Sequence, residues 1–254
     1  MTRLSFFVMY KFLLSAGLLL AAPSAFAQSG FRFGPQLGLN YSGSNYEFAD
    51  ITASDKTSTS FRAGLEAGVQ VQYGFTPHLA LQTGLLFSQK GGHVENRYFT
   101  TYPSYTYTYN ESYDFRFNYL VLPVNLQYSL AANGQGLLLL AGPYLGFLTG
   151  GNYKSSISSA VSGSTRGGSE DSGNVVAGDT YNTNYSSREY RSRGLDAGFQ
   201  VGVGTGFSRM QVQLVYSHGL RNLGAAYPSG SGRTAPTYHN RCFTLSAAYL
   251  FGKS

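Results

Sequence analysis

The strongest constraint in this sequence is a two-residue hydrophobic rhythm. From Arg62 to Gly74 the chain reads RAGLEAGVQVQYG, so Leu65, Ala67, Val69, Val71 and Tyr73 share one face of an extended strand. Arg62, Glu66, Gln70 and Gln72 share the other. The rhythm returns in Gly30 to Tyr41, His78 to Lys90, Phe115 to Leu130, Leu137 to Leu148, Gly194 to Thr205, Met210 to Leu220 and Cys242 to Phe251. No window of comparable quality carries helical spacing, so the chain reads as all-β with eight strands.

The connections carry a second periodicity. Residues 42–60, 91–114, 149–193 and 221–240 are long and polar, whereas Thr76-Pro77, Ala131 to Gly136 and Phe207 to Arg209 are short. Strict alternation of long and short implies an antiparallel up-and-down meander, with its long loops at one end and its tight turns at the other. The run TTYPSYTYTYNESY, Thr100 to Tyr113, reads as an extension of the third and fourth strands in preference to a dedicated recognition surface, because alternating Thr and Tyr favour β structure.

Alternation alone leaves open which way the apolar faces look. A soluble lipocalin-like carrier would turn them inward around a ligand, and a membrane barrel outward against lipid. Four features favour lipid. The segments exceed the roughly 9–11 residues a tilted strand needs to cross hydrocarbon. Aromatics stand near the ends of the apolar faces, as in Phe31 with Tyr41, Phe61 with Tyr73, and Tyr249 with Phe251. The polar faces are rich in glycine, poor for an exposed strand but useful inside a narrow cylinder. Lipid also forbids open sheet edges, and closure removes them. The expected fold is an eight-stranded antiparallel up-and-down transmembrane β-barrel with long extracellular loops and short periplasmic turns.

The first residues agree with that address. Arg3 and Lys11 accompany an apolar run from Phe12 to Ala22, and Ala25-Phe26-Ala27 supplies a small-x-small cleavage pattern. Residues 1–27 are therefore expected to be a secretory signal peptide and 28–254 the barrel domain. Without Arg3 and Lys11, the 18 basic residues fall to 16 against 12 acidic ones, and no lysine-rich run marks a nucleic-acid footprint. Cys242, the single cysteine, cannot close an intramolecular bridge.

The segments GPQLGLNYSG, GVQVQYGFTPHLALQTGLLFSQKGG, YLVLPVNLQY, GPYLGFL, GLDAGFQVGVG and NRCFTLSAAYLF follow one another in this order. In that order they resemble the PorT-like outer-membrane β-barrel family of Bacteroidetes, over nearly all the chain after residue 27 except the long loops. The resemblance implies an eight-stranded outer-membrane barrel, mostly without assigned activity, with at least one member tied to protein secretion. It supplies no catalytic or ligand residues. The Ser/Gly/Asn/Thr-rich segment around Ser155 to Tyr190 looks longer than the family's usual connection.

Arg32, Arg62, Glu66, Lys90, Arg116 and Asp196 are expected in the lumen, paired with one another and with Gln70, Gln82, Gln200, Gln211 and Gln213, since unpaired buried charge is expensive. Arg188, Arg191, Arg193, Arg221 and Arg241 gather near the outer ends of the last three strands as candidate contacts to lipopolysaccharide phosphates. Outer-membrane lipid and lipopolysaccharide are the expected surroundings, with a protein partner at the extracellular loops and a monomeric barrel. No catalytic group, cofactor or metal is expected, because no pair of His, Cys or carboxylates has ligand spacing. Ser217 and His218 are adjacent and point to opposite faces. The expected function is that of an integral outer-membrane barrel with a structural, surface-binding or secretion-assisting role and no catalysis. An outer-leaflet lipid-modifying enzyme and a soluble carrier are the alternatives.

Overall fold

Each rhythmic segment forms a strand in a computed structural model of the chain, which describes residues 30–47, 56–162, 164–181, 188–231 and 234–252. The expected signal peptide lies outside the described residues. The strands are β1 (Phe31–Glu47), β2 (Lys56–Gly74), β3 (Leu79–Tyr102), β4 (Tyr105–Ser129), β5 (Gly136–Val161), β6 (Ser164–Ala177), β7 (Glu189–Ser192), β8 (Leu195–Phe207), β9 (Met210–Gly219) and β10 (Thr237–Tyr249). Eight of them close a ring in the order β1-β2-β3-β4-β5-β8-β9-β10, with every neighbour antiparallel and β10 paired back onto β1. β6 continues as a hairpin on the upper half of β5, and the short β7 lies parallel to β6.

The two faces of the wall are inverted relative to a water-soluble protein. Leu37 and Leu39 are 67% and 61% exposed, whereas Gln70 and Asp196 inside the ring are 1% and 0% exposed. The outer apolar band is bounded by aromatics. Phe33 with Phe251, Tyr73 with Phe75 and Tyr249 with Phe251 pair at the short-turn end. Tyr41 with Phe61 and Tyr216 with Phe243 pair at the other. Phe31 to Tyr41 rises about 33 Å at ~3.3 Å per residue, and a tilt of about 40° reduces that to about 25 Å, the height of a membrane-facing band.

The short turns are locally specified. Thr76 Oγ1 accepts hydrogen bonds from the backbone N–H groups of His78 and Leu79, at 3.3 and 3.0 Å. A 3-10 turn over Ala132–Gly134 ends at Gly134, whose φ is +71° and whose Cβ, if present, would stand 2.2 Å from Arg32 Nη2. The left-handed backbone is what calls for glycine there, since the end of the arginine could swing aside.

Two expectations need correction. Glycine on the polar faces is expected to leave room across a narrow lumen; at Gly142 and Gly198 the clash it avoids is with the adjacent strand. A Cβ at Gly142 would lie 2.0 Å from Val124 O, and one at Gly198 would lie 2.0 Å from His218 O. The segments 91–114 and 149–193, expected as long polar connections, are largely strand, and for Thr100 to Tyr113 the expected extension of the third and fourth strands is what forms. β3 and β4 stay paired from Gly92↔Phe115 to Tyr102↔Tyr105, so the tyrosine-rich run extends those strands well past the outer aromatic belt, as does β5 with β6.

Candidate functional site

The ring interior is layered. Nearest the short turns, Arg32 Nη2 donates to Gln72 Oε1 at 2.9 Å, and Gln211 Nε2 donates to the same oxygen at 3.1 Å. Gln70 Nε2 donates to Gln211 Oε1 at 3.0 Å, and Gln82 and Gln213 exchange bonds at 3.0 and 3.4 Å. β2 and β3 are thereby tied to β9 by amides, each of which serves as donor and acceptor without charge. Gln200 on β8 donates to Asn125 on β4 at 2.9 Å. Below this layer a recess of about 290 Å³, lined by Arg32, Gln72, Thr76 and Ser129 among others, faces the short-turn end.

Above the glutamines, Glu66 Oε1 accepts from Gln36 Nε2 at 3.0 Å. Beside it sits a void of about 40 Å³ lined in part by Ser88, Lys90 and Tyr144. That is room for two or three waters at about 10–15 Å³ each. Lys90 Nζ lies 3.3 Å from Asp196 Oδ2, with side-chain exposures of 4% and 0%. Asp196 also accepts from Tyr144 Oη at 3.2 Å and from Asn240 Nδ2 at 3.0 Å, and the ammonium stands 4.6 Å from the Tyr144 ring centre. These extra bonds are what make a buried pair tolerable.

Over the ion pair the lumen is filled by rings. Tyr119, Phe117 and Tyr238 are fully buried, Tyr46 stacks on Tyr238 at 4.6 Å, and Phe115 meets Tyr190 at 4.5 Å. Leu223, from the connection between β9 and β10, is buried with them, and Tyr238 Oη donates to Ser192 Oγ at 2.7 Å. Burial pushes the Tyr238 phenol up to about 12 and the Tyr190 phenol well above its ordinary value. Tyr119, Tyr144 and Asn240 were not among the sequence candidates. Tyr144 shares its face with Gly142 and Gly146, a signal that was available, whereas Asn240 fell in a segment read as loop.

Arg62 and Arg116 are not in this network, contrary to expectation. β2 and β3 lose their pairing between Phe61 and Glu66. Across the gap β1 reaches β3 directly: Asn40 Nδ2 donates to Gln89 O at 3.0 Å, Gly91 N–H donates to Ser42 Oγ at 2.8 Å, and Ser42 Oγ donates to Gly91 O at 3.1 Å. β2 bulges away from the axis there, and Arg62, half-buried, forms an ion pair with Asp114 on β4. Arg116 alternates with the buried Phe115 and Phe117 and so faces outward.

The five expected rim arginines do not form one cluster. Arg188 is 3.5 Å from Asp171 and well exposed, and Arg191 is 3.2 Å from Glu189. Arg193 Nη1 donates to Asn222 O at 3.4 Å, and Arg221 is half-buried on the same connection. Arg241 stands apart on the outer face of β10, opposite Gly43 on β1 and His218 on β9. Of the histidines, His93 Nε2 lies 3.1 Å from Glu95 Oε1, and no hydroxyl among the described residues hydrogen-bonds to that ring. No group of three His, Cys, Asp or Glu among the described residues could hold a metal ion.

A family model described as "Outer membrane protein beta-barrel domain" matches residues 26–224, from before β1 through β9. The chain belongs to that family. It is an integral outer-membrane barrel, with the short turns in the periplasm and the long loops outside. Similar solved structures include Ail, the attachment invasion locus protein of Yersinia pestis, at 12% identity and a TM-score of 0.35, covering 87% of this chain and 98% of that one. OprG from Pseudomonas aeruginosa is similar at 11% identity and 0.38, covering 88% and 96%. Neisserial surface protein A is similar at 11% and 0.34, covering 87% and 97%. No curated protein matches this chain.

Proposed function

We propose that this outer-membrane barrel is a non-conducting, non-catalytic surface anchor that presents an extracellular β projection to a protein partner while its wall is seated in lipopolysaccharide. The observation that carries this reading is the contrast between the two halves of the molecule. The lumen is blocked by crossed glutamines, an ion pair and stacked rings, whereas β3 to β6 continue as paired strands beyond the outer aromatic belt. Tyr102 and Tyr105, facing each other at 4.7 Å, stand exposed at the hairpin tip, and tyrosine offers wide contact area at small entropic cost. The likeness of the strand motifs to PorT-like proteins supports a secretion-assisting version of the same role.

The test replaces residues 97–110 by Asn-Gly, which joins the paired positions Asn96 and Glu111 through a tight turn. The shortened protein is expected to remain a heat-modifiable barrel and to lose the partner that the full chain retains on crosslinking in intact outer membranes. Equal crosslinking by both, or steady single-channel conductance of the full chain in planar bilayers, contradicts the reading. An outer-leaflet enzyme is the second reading, favoured by the His93–Glu95 contact. It predicts lipid modification that disappears in His93→Ala.

A further inference from the structure

The outer face just above the upper aromatic belt carries the guanidinium groups of Arg62, Arg116 and Arg241, of which Arg62 pairs with Asp114. Arg62 follows Phe61, whose ring stacks on Tyr41, and Arg241 stands two residues above Phe243 on β10. The Nε atoms of Arg116 and Arg241 are buried and meet no acceptor among the described residues. A buried guanidinium N–H left unpaired is costly, and on an outward face at headgroup level a lipid phosphate can supply an acceptor.

The surroundings of these arginines suit an anion. Arg62 pairs with the carboxylate of Asp114, Arg116 follows Asp114 two residues along the same outward face of β4, and the exposed Lys154 is directly opposite Asp114 on β5. Three cationic side chains thus lie near Asp114, with Glu95 engaged by His93 on the neighbouring strand. In the ladder Arg116 lies between Gly91 on β3 and Asn152 on β5, and Arg241 between Gly43 on β1 and His218 on β9, so each guanidinium is left uncovered by a side chain on one flank. The bulge in β2 contributes as well: without it, Arg62 would keep the phase of Glu66 and point into the lumen.

We propose that Arg62 and Arg116, with Lys154 beside them, form one docking site for a phosphate group of lipid A in the outer leaflet, and that Arg241 on β10 forms a second. Guanidinium forks match phosphate oxygens bidentately, and the aromatic belt below sets the depth at which such a phosphate lies. The proposal rests on the membrane seating described above and is independent of the extracellular projection. The arginines of the β6 to β8 region, engaged with Asp171, Glu189 and Asn222, are left out of it.

The experiment is native mass spectrometry of the full-length barrel released from detergent micelles after incubation with lipid A, with lipid A stripped of its phosphates, or with phosphatidylglycerol. Wild type is expected to retain lipid A, to retain the stripped lipid at least tenfold less, and to retain phosphatidylglycerol weakly. Arg62→Gln/Arg116→Gln is expected to lose lipid A at least tenfold, with a smaller loss for Arg241→Gln. Arg62→Lys/Arg116→Lys should fall between, keeping charge without the bidentate fork. Heat-modifiable migration checks that each variant is folded; if the glutamine pair fails that check, the lysine pair and the stripped lipid decide. Equal retention of stripped lipid A, equal retention of phosphatidylglycerol, or wild-type behaviour of the folded variants overturns the assignment. The variant with residues 97–110 replaced should bind lipid A as wild type does, so loss of partner binding and loss of lipid binding are separable results.

Discussion

Asp196 is the residue on which the interior is centred. It accepts from Tyr144 and Asn240 and faces Lys90, so three strands besides its own converge on one carboxylate. Removing one member of a buried pair leaves the other charge stranded, which costs about 3–5 kcal/mol. Asp196→Ala and Lys90→Ala are each expected to lose about that much in urea unfolding from micelles. Lys90→Met combined with Asp196→Leu should lose clearly less than either; additive losses would contradict the stranded-charge account. At this scale, strand phase carried most of the readable information. The buried Gln70, Gln82, Gln200, Gln211 and Gln213 all share the phase of the polar faces. Phase also puts Arg116 with the outward Leu120 and Leu122, a signal that its charge, expected inside, obscures. Arg62 could not have been placed by phase, because a local bulge resets the alternation and nothing in RAGLEAG announces it.

Among the elements, the plug is the part least visible in the sequence. It is assembled from Tyr46 on β1, Phe115, Phe117 and Tyr119 on β4, Tyr190 on β7, Tyr238 on β10 and Leu223 between β9 and β10. These residues are brought together by ring closure and by a loop whose composition is merely polar. The membrane halves of β1, β2 and β8 to β10 were legible because lipid outside and amides inside impose a strict two-residue period. Above the membrane both faces meet water or plug, the period fades, and the strands run on unannounced. The plug tyrosines make a pH prediction. Their phenols are raised in the folded protein, Tyr238 to about 12, chiefly because burial disfavours the anion. Stability from these groups is therefore complete below the ordinary phenol value of about 10, and declines as pH rises from there through the folded value. Ultraviolet titration of the folded barrel should show a tyrosine fraction ionising only near or above pH 12. Full ionisation by pH 11 with the barrel still folded would refute a packed plug.

For the whole molecule, one inversion organises everything else. Bulky aliphatic side chains cover the outside, amides, the Lys90–Asp196 pair and stacked rings fill the inside, and the ring leaves no edge for lipid to desolvate. The plugged lumen, the projecting strands and the outward arginines all take their meaning from where hydrocarbon lies. The absence of tryptophan from the sequence permits a direct measurement. Leu37→Trp, Val69→Trp and Leu245→Trp, each reconstituted in bilayers with bromine-labelled acyl chains, should emit in the blue, be quenched by the bromines and resist aqueous acrylamide. Quenching by acrylamide with none by the brominated chains would put those faces in water or in a protein core and contradict the account.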